Sequence, residues 1–103
     1  MKIFAVILFK ENSHLLASLL REVKNIESLS PKTKIVLTNG EKIILKKVIE
    51  IGSFPIKALY PIPEYLKRYN YSQAVWGFIV TDKKVIPLVH LKKLFGGNKD
   101  EKR

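Results

Sequence analysis

The sequence predicts a small, mainly β fold: a β-barrel with one or two short helices, with an α+β fold as the alternative. Two hairpins and the connection between them support this. The first hairpin spans 35–45 and turns at Asn39-Gly40, and the second spans 75–89 and turns at Asp82-Lys83. The connection contains Pro55, Pro61 and Pro63, residues that are excluded from central strand ladders.

The N-terminal residues 2–9 form an apolar run that predicts a buried strand. The next segment is ambiguous. Its apolar residues recur at helical spacing, which predicts a helix over 14–26 with Asn12 or Ser13 as its N-cap. The alternative is a strand over 15–19 followed by a tight bend at Arg21-Glu22.

The Asn39-Gly40 pair predicts a type I′ turn, because that turn needs positive φ at both central residues. A further strand is predicted over 48–51, with Gly52-Ser53 ending its pairing. Proline near the start of 63–69 favours one or two helical turns there.

The second hairpin is predicted from strands at 75–80 and 85–89, with Pro87 at a sheet edge or a bulge. A short helix over 91–95 should end at Gly96-Gly97. We expect one domain over 1–97 and a flexible charged tail over 98–103.

The chain of 103 residues has no cysteine, which excludes disulfides and cysteine-based zinc or redox chemistry. Its apolar N-terminus, 1–9, is shorter than the roughly 20 residues that span a bilayer. We therefore expect a cytoplasmic protein without membrane insertion.

The formal net charge is +10. A basic surface favours an acidic protein face, nucleic acid or anionic lipid as partner, although lysine-rich surfaces also occur in thermophile proteins. Lysine pairs recur at 46–47, 83–84 and 92–93. In a strand one lysine of each pair would point inwards, so the pairs should lie at strand ends or turns.

The residue types that carry catalysis form no recognisable constellation. His14 and His90 lack a second ligand at metal-binding spacing, and we expect a surface position for His14 and a place beside the last strand for His90. Glu22 and Glu50 share a local pattern typical of structural or contact groups. The sequence therefore predicts no enzyme activity, no cofactor and no metal site.

Aromatic and basic residues alternate in one segment, and such a pattern can stack bases and hold phosphates. The residues that would bind nucleic acid in this alternative are Tyr65, Lys67, Arg68, Tyr69 and Tyr71. The same residue types also dominate protein-binding surfaces.

Several motifs, in their order and spacing, resemble the CheW-like domain, the adaptor module of bacterial and archaeal chemotaxis. They are Tyr60-Pro61-Ile62-Pro63, the strand 74–79 that reaches Gly77, and the segment 84–96, which is similar to the family's "viPvidLrk-lG" pattern. Upstream, 35–40 and 45–51 resemble the family's first hairpin and its "V-x-E-I" element. The resemblance implies an SH3-like, CheW-like β-barrel that binds another signalling protein.

From this resemblance we expect protein contacts at Val48, Glu50, Phe78 and Val85. We expect Lys46, Lys47, Lys83 and Lys84 to steer an acidic partner towards the rim. The family usually folds as two linked five-stranded barrels, and this chain is shorter. Apolar surface left by the missing half would predict a homodimer.

Overall fold

The computed structural model describes residues 2–63 and 74–96. Nine β-strands make up most of this part, which confirms the mainly β prediction. The strands are β1 (Ile3–Glu11), β2 (His14–Leu19), β3 (Val23–Leu29), β4 (Lys32–Leu37), β5 (Lys42–Leu45), β6 (Lys47–Pro55), β7 (Leu59–Pro61), β8 (Val75–Val80) and β9 (Val85–Val89). Short 3-10 turns lie at Leu20–Glu22 and Ile56–Ala58, and a π-helical turn at Lys92–Gly96. Of the helical turns predicted over 63–69, all residues after Pro63 lie outside the described residues, as does the tail over 98–103.

The strands form two sheets. Six strands pair in the order β6-β1-β2-β9-β8-β7, and three pair in the order β3-β4-β5. All pairings are antiparallel except that of β2 with β9, which is parallel and consists of Ala17 opposite Leu88.

Strand β1 lies between two hydrophobic cores. Its residues 6–9 are all buried, and because successive side chains point to opposite faces of a strand, Ile7 and Phe9 enter one core while Val6 and Leu8 enter the other. A strand buried on both faces reads as a continuous apolar run, which is why 2–9 was recognisable from the sequence.

The first core joins β1 to the three-stranded sheet. Its buried members are Ile7, Phe9, Ile35, Leu37, Ile43, Leu45, Ala74, Val89 and Leu91. The second core lies within the six-stranded sheet, and its buried members are Val6, Leu8, Ala17, Ala58, Ile79, Ile86 and Leu88.

The helix predicted over 14–26 is wrong, and the alternative reading is confirmed. The segment forms β2, the 3-10 turn Leu20–Glu22 and the start of β3. Strand β2 is packed on both faces: Leu16 contacts the first core, and Leu15 and Leu19 contact the second. Leu20, in the 3-10 turn, also contacts the first core. The apolar residues of β2 are therefore consecutive and do not alternate with polar ones. Together with those of the turn that follows, they have the spacing of an amphipathic helix.

Asn12 and Ser13 do not cap a helix. Their φ angles are 53° and 71°, and they form the two-residue turn between β1 and β2, where Glu11 lies opposite His14. Positive φ at both central residues is the property of a type I′ turn.

The turn at Asn39-Gly40 joins β4 to β5 as predicted, but it is not type I′. Positive φ occurs at Gly40 (94°) and not at Asn39. The Gly40 N–H donates to the Leu37 carbonyl at 2.9 Å, and the Leu37 N–H donates to the Glu41 carbonyl at 2.8 Å. This is a three-residue loop with glycine in the left-handed position.

Gly52-Ser53 does not end the strand that begins near residue 48. Strand β6 continues through both residues to Pro55, paired with β1. The irregularity lies earlier, since Leu8 is opposite Glu50 and Phe9 is opposite Val48, which leaves Ile49 as a bulge residue.

The second hairpin, β8 with β9, has the predicted bounds. Pro61 lies in β7, an edge strand, as proline in a sheet requires. Pro87 lies in β9, which has β2 on one side and β8 on the other. Strand β9 is therefore not an edge strand, and the predicted sheet-edge position of Pro87 is wrong. The bulge is on the partner strand, at Trp76.

The short helix predicted over 91–95 appears as the turn Lys92–Gly96, with the Leu94 N–H donating to the His90 carbonyl at 2.9 Å. Leu94 and Phe95 pack against the first core. The ring of Phe95 lies 6.5 Å from that of Phe9, so the turn that follows β9 packs against β1.

Candidate protein-interaction surface

A groove opens between the start of β2 and the start of β9. Apolar side chains from both strands line it, with basic side chains around them; the lining residues are Lys10, Ser13, His14, Leu15, Leu16, Lys84, Val85, Ile86 and Pro87. We call this set the β2–β9 groove. The β1–β2 turn and the β8–β9 turn flank it, so two hairpin ends position its residues.

Pro87 explains why the two strands separate here. In a two-residue hairpin the residues next to the turn bond to each other, so the backbone N–H and C=O groups of His14 point to β1. These groups alternate in direction along a strand, so those of Leu15 and Ala17 point to β9. The bond preceding the Ala17–Leu88 pair would run from the N–H of residue 87 to the Leu15 carbonyl. Proline has no N–H, so the parallel ladder stops after one pair. The sequence predicted a sheet edge or a bulge at Pro87; the structure instead has a ladder that stops inside the sheet.

The groove is basic. Lys10, His14 and Lys84 line it, and no acidic residue is among its lining residues. Lys83 adjoins it in the β8–β9 turn. The nearest acids along the chain, Glu11 and Asp82, lie in the flanking turns and only partly offset this charge.

Thr81 fixes the turn that carries two of these lysines. Its N–H donates to the Lys84 carbonyl at 2.9 Å. Its Oγ1 accepts hydrogen bonds from the backbone N–H groups of Lys83 at 3.3 Å and Lys84 at 3.1 Å. The backbone under both charges is thus held in one conformation, while their side chains are exposed.

The structure brings together some of the predicted contact residues. Lys84 and Val85 line the groove, with Val85 63% exposed, and Lys83 is their neighbour. Lys47 lies opposite Lys10 in the pairing of β6 with β1. The lysine pairs at 46–47, 83–84 and 92–93 occupy strand ends and turns, as predicted.

The other predicted contact residues lie elsewhere. Val48 is half-buried against the first core, and Glu50 is exposed on β6, opposite Leu8. Phe78 is half-buried in β8, opposite Pro87 on one side and Tyr60 on the other.

His90 forms a second polar cluster, which lies just after the end of β9. Its Nδ1 lies 3.1 Å from Glu22 Oε2, and its ring stacks on Trp76 with centroids 5.5 Å apart and planes inclined by 21°. The Glu22 carbonyl accepts from the Thr38 N–H at 3.1 Å. The cluster therefore ties the end of β9 to the 3-10 turn that leads into the three-stranded sheet.

Sequence reasoning placed His90 beside the last strand but missed its partners. Glu22 is 68 residues away in the chain, and no local pattern connects the two. The cluster borders a shallow cavity lined also by Leu37, Asn39 and the lysines at 92–93. Within residues 2–63 and 74–96, no three His, Cys, Asp or Glu side chains come together as a metal site would require.

Large apolar side chains are exposed on the strands at one end of the six-stranded sheet. Ile3 in β1 is 61% exposed, and Ile51 in β6 is 53% exposed. Strand β6 is the edge strand at this end, so one side of it has no strand partner within the described part of the chain.

The residues of the nucleic-acid alternative, 65–71, lie outside the described residues. Among the helices of the described segments, none has the length and apolar character needed to cross a membrane.

Three comparisons with known proteins were made. No family model matches the sequence, and no curated protein matches it. Among solved structures, the fold is similar to that of the scaffolding protein TtCheW from Thermoanaerobacter tengcongensis, with a TM-score of 0.68 and 15% sequence identity. The alignment covers 92% of this chain and 94% of that one. The chain therefore has a CheW-like fold, as the motifs predicted.

Proposed function

We propose that this protein is a non-enzymatic adaptor that holds another protein in a signalling assembly, of the kind that CheW-like domains form in chemotaxis. The CheW-like fold, shared over nearly the whole of both aligned chains, is the observation that carries the proposal. Fold alone does not determine function, so the surface of this chain supplies the further support.

That surface is suited to contact rather than to chemistry. The β2–β9 groove combines exposed apolar and basic side chains, whereas a catalytic site needs a nucleophile, a base and a stabilising group held in one geometry. The contact of His90 with Glu22 has a structural role in this proposal, because the histidine ring is also stacked on Trp76.

The partner in this proposal is acidic. Lys84 lines the groove and Lys83 adjoins it. Lys46 and Lys47, at the start of β6, add exposed positive charge. Complementary charge accelerates the encounter of two proteins and suppresses wrong partners.

We also propose that the chain self-associates, on a different ground from the one the sequence offered. The alignment spans 94% of the TtCheW chain and the described residues form two cores, so a missing half is not the argument. The support is the edge strand β6 with exposed Ile51. Light scattering after size exclusion should give twice the 11.9 kDa chain mass, and Ile51→Lys should return it to the monomer value; a monomer at millimolar concentration contradicts the dimer.

The test of the adaptor role is in-cell cross-linking with a tagged chain, followed by purification and mass spectrometry. We expect a chemotaxis kinase or receptor to be linked to this chain. Recovery of nucleic acid without a protein partner, at 50 mM salt and lost by 200 mM, would contradict the adaptor and favour the nucleic-acid alternative.

A further inference from the structure

We infer that the β2–β9 groove binds an extended acidic segment of the partner, in which carboxylates flank one apolar side chain. This inference rests on the adaptor role and goes further, because it assigns the site and the chemistry of the bound segment. Apolar floor, charge and strand geometry each contribute to it.

The floor of the groove accepts one apolar side chain. Leu15 and Leu16 from β2 are half-buried, and Val85 from β9 is largely exposed. Ile86, the neighbour of Val85 in β9, is buried in the second core, so the strand that carries Val85 is anchored to the interior. Covering Val85 would remove apolar surface from water, the main source of affinity in small interfaces.

The charge around this floor selects carboxylates. Lys10 and Lys84 carry the positive charge of the groove, and Ser13 and His14 complete its polar lining. Because no acidic side chain lines the groove, these two lysines have no carboxylate within it to neutralise them. A segment with a basic or uncharged flank would lose this complementarity, so the groove discriminates by charge as well as by shape.

The backbone favours an extended occupant. Strand pairing between β2 and β9 stops at Ala17–Leu88, which leaves the Leu15 carbonyl without the donor that Pro87 lacks. A backbone N–H of an extended segment can supply that donor, as in other forms of peptide recognition by strands. The interior of a helical segment would offer no free N–H there, since only its first four donors lack an internal partner.

The experiment uses a fluorescein-labelled nonapeptide, Ser-Glu-Ser-Glu-Leu-Glu-Ser-Glu-Ser, and the full chain at 50 mM salt. Fluorescence anisotropy should show binding to the wild type. Replacing all glutamates by glutamine, or the central leucine by serine, should each weaken binding at least tenfold. Amide NMR shifts should be largest at 14–16 and 84–86.

Two charge reversals distinguish binding at the β2–β9 groove from nonspecific attraction between the basic protein and the acidic peptide. Lys84→Glu should weaken binding of the glutamate peptide at least tenfold. Lys32→Glu, the same change of net charge at an exposed position at the start of β4, should weaken it less than threefold. Three results would each overturn the inference: equal losses of affinity in the two variants, no loss of affinity when serine replaces the central leucine, or no binding at millimolar peptide.

The same variants distinguish this inference from the adaptor proposal. If wild type and Lys84→Glu cross-link equally to the signalling partner in cells, the adaptor role stands and the groove assignment is wrong. If the wild type cross-links to no signalling protein, the adaptor role itself fails. A partner lost only in Lys84→Glu, with an acidic cross-linked segment, supports both.

Discussion

Leu45→Ala tests whether the two cores fold as one cooperative unit. Leu45 ends β5, is completely buried, and belongs to the first core. The second core has no residue from the three-stranded sheet. Any effect of this change on the second core must therefore pass through elements that both cores share, above all β1.

The magnitude follows from the burial. Replacing a fully buried leucine by alanine costs about 2–5 kcal/mol, from lost transfer free energy and the cavity left behind. The net stability of a domain of this size is about 5–15 kcal/mol. At about 4–8 °C per kcal/mol, the midpoint of thermal unfolding should fall by roughly 8 °C or more. Ile44→Ala is the matched control, because Ile44 is 45% exposed on the same strand and should cost about 1 kcal/mol or less.

The assay follows urea unfolding with two probes. Far-ultraviolet circular dichroism reports all strands, while fluorescence reports the single tryptophan, Trp76, which packs against the second core. We expect both transitions of Leu45→Ala to shift together. If circular dichroism shifts while the Trp76 transition stays at its wild-type midpoint, the cores unfold independently and the role given to β1 is wrong.

Three further changes test local geometry through the free energy of unfolding. Gly77→Ala should destabilise by about 1–3 kcal/mol, since its Cβ would lie 3.0 Å from a backbone oxygen of β7, whereas Gly52→Ala meets its nearest neighbour at 3.4 Å and should cost less; equal costs would contradict this. Ser13→Gly should stabilise by up to about 1 kcal/mol, because φ is 71° there: the left-handed conformation costs a residue with a Cβ about 1–2 kcal/mol, and the greater freedom of glycine in the unfolded chain offsets part of the gain. A loss of stability would refute the turn assignment. Alanine at Glu22 and at His90, alone and together, should give a coupling energy of about 0.5–1.5 kcal/mol for their 3.1 Å contact, and strict additivity would deny it.

Local signals in the sequence located the two predicted hairpins, although not every turn type or strand end. The strands of the second hairpin followed from two apolar runs around a polar turn, and their bounds agree with the structure. The resemblance of 84–96 to the CheW-like pattern likewise predicted the fold, because the motifs combine turn and strand signals at fixed spacing.

The sequence-based prediction failed for β2, a strand that packs against both cores. In β2, alternate residues face different cores, so the period of two that identifies a half-buried strand is lost. The residues that follow, Leu20–Glu22, then turn the chain into the other sheet. Asn12-Ser13 carried a usable signal, since asparagine tolerates positive φ, but serine at the second position is a weaker marker than the glycine at position 40.

The candidate site was only half visible for a related reason. Lys83, Lys84 and Val85 were identified because they adjoin a recognisable motif. Lys10 and His14 were not, because they reach the groove only through the parallel alignment of β2 with β9, which joins residues about 70 apart in sequence. The contact of His90 with Glu22 was hidden by the same separation.

Pro87 connects the fold to the proposed function. A proline inside a sheet breaks a local rule, and departures of this kind are expected where function outweighs regularity. Here its cost is confined to one ladder, because Ile86 and Leu88 on either side remain buried in the second core. The sheet thus keeps its core while two strands separate at the surface, and the place where they separate is the only part of β9 with an exposed apolar side chain, Val85. In the proposed groove, Pro87 is therefore the residue that ends the pairing beside Val85 and leaves room for a bound segment.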